Sequence, residues 1–123
     1  MDYQLIKLGH LTGIMLVFLS LGGMVFAARV GFGPEQRSLR RAAAILHGVG
    51  LLLIIGSGFA MLSSLGLLHG DPPTWVKIKL GIFLFLGASI SVAARMSRLI
   101  WLWIPLWILL GITAGYLALY KPF

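Results

Sequence analysis

Apolar residues fall in four long runs, 5–28, 42–68, 76–94 and 99–120, with charges gathered at their ends. A helix needs roughly 20 apolar residues to cross a hydrocarbon core about 30 Å thick, and each run is near that length. The pattern predicts an all-α fold: an integral membrane bundle of four transmembrane helices in antiparallel up-down order, forming a single domain over 1–123. The connections are too short for a second fold, and no internal repeat is expected.

Composition sharpens that picture. Hydrophobic residues make up 59% of the chain and charged residues 11%, a balance suited to lipid rather than to water. A net charge of +7 would suggest nucleic acid in a soluble protein. Here the basic residues sit at the run ends, so anionic lipid headgroups are the expected counter-charge and no nucleic acid is expected as a partner. The absence of cysteine excludes disulfides, thiolate metal sites and cysteine nucleophiles. The first run begins after Asp2 and carries Lys7 and His10, so it reads as a retained span rather than a cleaved signal.

The connections after the first and third runs hold Arg29, Arg37, Arg40, Arg41, Arg95 and Arg98 against one acid, Glu35. The other side holds Lys7, Lys77, Lys79 and Lys121 with Asp2 and Asp71. Arginine-rich loops in the cytoplasm and both termini in the periplasm of a bacterial inner membrane follow from the positive-inside rule. The turn His69-Gly70-Asp71-Pro72-Pro73 leads to Thr74, a candidate cap for the third helix. Trp75, Trp101, Trp103, Tyr3, Tyr116 and Tyr120 lie near span ends, where aromatic rings anchor at headgroups. Trp107 is deeper. Gly9 with Gly13 and Gly111 with Gly115 have the four-residue spacing that lets helices approach closely, within the bundle or in a homo-oligomer.

An ionisable side chain inside a span costs about 2.5–3.5 kcal/mol on insertion scales, so it either snorkels or serves a site. His10, His47 and Lys79 qualify. Counting inward from opposite ends at about 1.5 Å per residue separates the two histidines by about 15 Å along the membrane normal. One haem cannot be clamped between them. His10, Lys79 and Met61 could instead converge in one outer-leaflet pocket. Histidine and methionine are an accepted axial pair for haem iron, and a lysine can meet a propionate. Met61 also reads as helix packing and Lys79 as a snorkelling side chain. His47 reads as a histidine hydrogen-bonded to another helix, a ligand to a second cofactor, or a quinone contact.

Lys7-Leu8-Gly9-His10, Ala28-Arg29, Leu46-His47 and Trp75-Val76-Lys77-Ile78-Lys79-Leu80 resemble the SirB family of small four-span membrane proteins. More distantly, His10 together with Trp75, Lys79 and Leu80 resembles the HemJ-type protoporphyrinogen oxidases, which are b-type haem proteins. That resemblance implies His10 as the haem iron ligand, the chain's metal-binding residue, and Lys79 as an essential basic partner. Those oxidases carry a further histidine nine or ten residues after the lysine, where this chain has Ala88 and Ser89. Three functions follow as expectations: a haem-b-binding or redox-linked protein with a His10/Lys79/Met61 site, a non-catalytic accessory or scaffold subunit of a larger membrane complex, and an oligomeric transporter or channel. The last has least support, since no span interior carries a carboxylate.

Overall fold

A computed structural model describes residues 2–120. The described elements are all helical: α1 (Tyr3–Val30), α2 (Pro34–Ser64), α3 (Thr74–Arg95), a short 3-10 turn (Ser97–Leu99) and α4 (Ile100–Tyr120). By length and composition, four helical segments are long and apolar enough to cross a membrane.

The α1–α2 connection is much tighter than the charge pattern suggests. Asp2 caps α1 by accepting the Gln4 N–H, and α1 stops at Gly31, whose φ of 157° side chains rarely adopt. Pro34 then sits in the first turn of α2, where its missing N–H costs nothing. The run Glu35 to Arg41 is therefore helix rather than loop, and α2 starts eight residues before the apolar run does. At the other end α2 stops at Ser64, short of the expected 68. Thr74 does not cap α3. It is the first helical residue, and the Pro73 carbonyl accepts from Val76 and Lys77 instead. α4 continues as helix through Pro105.

α1 is the axis of the bundle. Its most apolar stretch is 44% buried, against 22% in α3 and 11% in α2 and α4. It packs along α2 and also touches α3 and α4, whereas α2 and α3 scarcely meet. The core joins Val17, Leu21 and Val25 of α1 to Ile82, Leu86 and Ala93 of α3 and to Ile100, Trp107 and Leu117 of α4. Trp75, placed at a headgroup by its position in the sequence, is instead buried in this core. Trp107 is buried as well, and its indole N–H donates to the Ser89 hydroxyl at 3.2 Å, which satisfies both groups away from water.

In lipid, apolar burial gives helices no net drive to associate, so close packing must supply it. Gly13 and Gly50 provide the point of closest approach. A Cβ built on Gly13 would stand 2.9 Å from the Gly50 carbonyl oxygen, and one on Gly50 would stand 2.9 Å from the Gly13 carbonyl oxygen. Of the glycine pairs expected to mediate packing, only one member each is used. Gly111 faces the Phe18 ring at 3.1 Å, while Gly9 and Gly115 have no atom within 4 Å of a built Cβ.

Candidate functional site

The α1–α2 crossing is built from a repeat. His10, Gly13 and Ser20 on α1 have the same spacing as His47, Gly50 and Ser57 on α2, which corrects the expectation that the chain holds no internal repeat. His10 Nδ1 lies 2.8 Å from Ser57 Oγ, and His47 Nδ1 lies 3.0 Å from Ser20 Oγ. Each motif's histidine thus meets the other motif's serine, one pair on either side of the Gly13–Gly50 contact. The register also fixes the depth of the histidines. His10 stands level with Ser57, ten residues along α2 from His47, which is about 15 Å of helix. The two imidazoles occupy separate layers.

The two rings differ in how their nitrogens are used. His47 is buried, and its Nε2 lies 3.2 Å from the Gly87 carbonyl of α3. A carbonyl only accepts, so in the neutral ring the hydrogen sits on Nε2 and Nδ1 can only accept; the single hydrogen of the Ser20 hydroxyl is then shared between Nδ1 and the Val17 carbonyl, 2.7 Å away. Both nitrogens are covered, Nδ1 by the Ser20 hydroxyl of α1 and Nε2 by the Gly87 carbonyl of α3. His47 therefore leaves no nitrogen open to a further ligand and acts as a polar tie across three helices.

His10 is set up the other way round. The Ser57 hydroxyl is placed to donate to the Leu53 carbonyl one turn back, so its oxygen accepts from His10 Nδ1–H. The Ile54 carbonyl also stands close enough to the ring to favour an N–H facing α2. With its hydrogen on Nδ1, the neutral ring carries its lone pair on Nε2, the state of a histidine ready to coordinate a metal or accept a proton. Gly58 packs beside the ring, where a Cβ would meet His10 Cε1 at 3.7 Å, an ordinary contact.

Lys79 faces the same region. The buried stripe of α3 runs Trp75, Ile82, Leu86, Ser89 and Ala93, and Lys79 fits the empty step between Trp75 and Ile82 at helical spacing. It is half-buried and close enough to His10 for the two groups to interact electrostatically. Lys77 points elsewhere. It is exposed and ion-paired with Asp71 at 3.0 Å. Met61 is half-buried one turn beyond Ser57 on α2. His69 is an exposed turn residue.

Two features escaped sequence reasoning. Ser20 and Ser57, ordinary residues in apolar helices, each meet a histidine of the facing helix, and Ser57 fixes the tautomer of His10; the shared ten-residue His-to-Ser spacing was the available signal. The second feature is a cleft of about 740 Å³ at the arginine end, lined by Arg40, Arg95, Arg98 and His47 among others. The charge count had assigned those arginines only to lipid phosphates. A smaller, mostly apolar groove of about 530 Å³ lies between α1 and α2 and includes Glu35.

No family model, curated protein or solved structure matches the chain.

Proposed function

We propose that this chain is an integral protein of a bacterial inner membrane, with four spans in antiparallel up-down order and its arginine end in the cytoplasm. In its outer layer His10 and Lys79 hold a haem b as a redox-linked centre. The observation that carries this reading is the Ser57 hydrogen bond to His10 Nδ1, which leaves Nε2 as the ligating nitrogen. A hydrogen-bond acceptor on the far nitrogen is the usual means of orienting a ligating imidazole, and here the Ser57 oxygen takes that part.

If a haem were bound, His10 Nε2 would meet the iron, Lys79 would supply a positive charge for a propionate, and Met61 would be the candidate for a second ligand. When bound, the haem would supply one-electron exchange at iron. The protein's part is to present the nitrogen in one tautomer, to balance the carboxylate charge and to keep the ring inside an apolar shell. The distant HemJ resemblance supports the same assignment of His10 and Lys79.

The test is an absorption spectrum of the purified protein in detergent, with and without dithionite and after addition of haemin. A Soret band that is lost in His10→Ala, at unchanged helicity by circular dichroism, supports the reading. A protein that stays colourless, or a band that survives His10→Ala, overturns it.

A second reading, an accessory subunit of a larger membrane complex, is favoured by the open apolar faces of α2 and α4. Leu52 is 72% exposed and Leu119 75% exposed. A colourless protein that co-purifies with stoichiometric membrane partners supports this alternative.

A further inference from the structure

The arginine end carries a second site, independent of the His10 layer. Because α2 and α3 scarcely touch, a cleft opens between them, with Arg40 from α2, Arg95 from the end of α3 and Arg98 from the 3-10 turn on its walls. The side chains that continue it inward are Ile90 and His47. His47 lies seven residues beyond Arg40, and at 1.5 Å per residue the cleft reaches about 10 Å inward from its cationic mouth.

Three guanidinium groups line this mouth without a carboxylate. Among the described residues none of the three forms an ion pair; the ion pair present is Lys77–Asp71. Glu35, the one acid of this end, lines the separate groove between α1 and α2. Arg40 is the most constrained of the three. Its guanidinium stacks on the Phe32 ring at 4.6 Å, and its Nε is buried with no hydrogen-bond partner. A buried donor on a charged group without an acceptor is costly, so this atom calls for an oxyanion that the chain itself does not supply.

We propose that the cleft seats a phosphate-headed membrane lipid, with the phosphate held by Arg40, Arg95 and Arg98 and one acyl chain running past Ile90 toward His47. Guanidinium forks match phosphate oxygens in pairs. The apolar interior distinguishes an amphiphile from a free anion, because inorganic phosphate would leave that part of the cleft unfilled. The volume also falls in the range of small-molecule sites. This proposal shares with the preceding section only the premise that the helices span a bilayer, and it does not depend on haem.

The experiment uses the full chain, stripped of lipid in detergent, with native mass spectrometry to count retained molecules. The probes are phosphatidylglycerol, a diacylglycerol with the same chains, and inorganic phosphate. One phosphatidylglycerol is expected to remain bound. The Arg40→Gln/Arg95→Gln double variant should lower its occupancy about tenfold or more, since each charge-assisted hydrogen bond carries a comparable factor. Ile90→Trp keeps every charge and fills the apolar floor, so it should also lower occupancy, at unchanged helicity. Equal retention of the diacylglycerol, retention unaffected by both variants, or displacement by inorganic phosphate at the concentration of the lipid overturns the proposal. Resistance of the chain to alkaline extraction from vesicles reports separately on the spanning premise, whatever the lipid result.

Discussion

Substituting Gly13 by alanine places a methyl carbon where the structure has none to spare. The added atom would lie 2.9 Å from both the Gly50 carbonyl oxygen and Leu53 Cβ, and 3.0 Å from Ile54 Cγ1. Carbon contacts relax at about 3.5–4.0 Å, so α1 and α2 must part by about 0.6 Å or more. Two of the obstructing atoms belong to or sit directly on the backbone and cannot swing aside. The movement also stretches the hydrogen bonds on either side of the crossing. His10–Ser57 at 2.8 Å and Ser20–His47 at 3.0 Å would both pass the outer limit of a good bond, about 3.2 Å. Overpacking of this kind costs about 1–3 kcal/mol, and each weakened hydrogen bond adds about 0.5–1.5 kcal/mol. A total loss of about 2–6 kcal/mol is expected. The assay is reversible unfolding of the full chain in mixed micelles, followed by circular dichroism, with Gly9→Ala and Gly115→Ala as controls whose new methyls meet nothing within 4 Å. The Gly13→Ala/Gly50→Ala double variant should cost less than the two singles together, because both push on one gap. If Gly13→Ala falls within about 0.5 kcal/mol of the controls, the crossing is not where the helices are held, a margin set by the scatter expected of harmless substitutions.

Ser57→Ala removes the acceptor that fixes the His10 tautomer; in haemin titrations it should weaken binding about 10–100-fold while keeping a Soret band, and unchanged affinity refutes the role given to Ser57. Trp107→Phe leaves the buried Ser89 hydroxyl without its indole donor and should cost about 1–3 kcal/mol in the same unfolding assay. Asp71→Asn breaks the Lys77 pair, but with side chains 51% and 82% exposed it should cost less than about 1 kcal/mol. Gly111→Ala meets only the far end of the Phe18 ring, at 3.1 Å, which can turn aside, so it should be markedly milder than Gly13→Ala by the same measurement.

Much of the candidate site was legible in advance, but not the part that gives it chemistry. The positions of His10, His47 and Lys79 inside long apolar runs mark them as unusual, because an ionisable group in an apolar setting needs a reason to be there. The 15 Å offset between the histidines follows from helix rise alone. What each ring does was not legible, since the roles are assigned by hydroxyls from the facing helix and by a backbone carbonyl of α3. Arg40 lies more than fifty positions from Arg95 and Arg98, and although the charge pattern put all three at one end, only the splay of α2 from α3 brings them onto one cleft.

The chain by itself determined four apolar helices, because backbone groups in an apolar setting must be hydrogen-bonded within their own segment, and a run of about 20 apolar residues does this as a helix. The stop of α1 at Gly31 is equally local, whereas α2 begins at Pro34 and ends at Ser64, outside and inside the limits that its apolar run alone suggests. Tertiary structure alone decided which helix lies at the centre, which glycines touch, and which histidine has both ring nitrogens covered. Hydropathy is nearly uniform around these helices, so it does not say which face turns inward. That choice fell to two glycines small enough for backbone contact and to the serine hydroxyls the contact brought within reach of each ring.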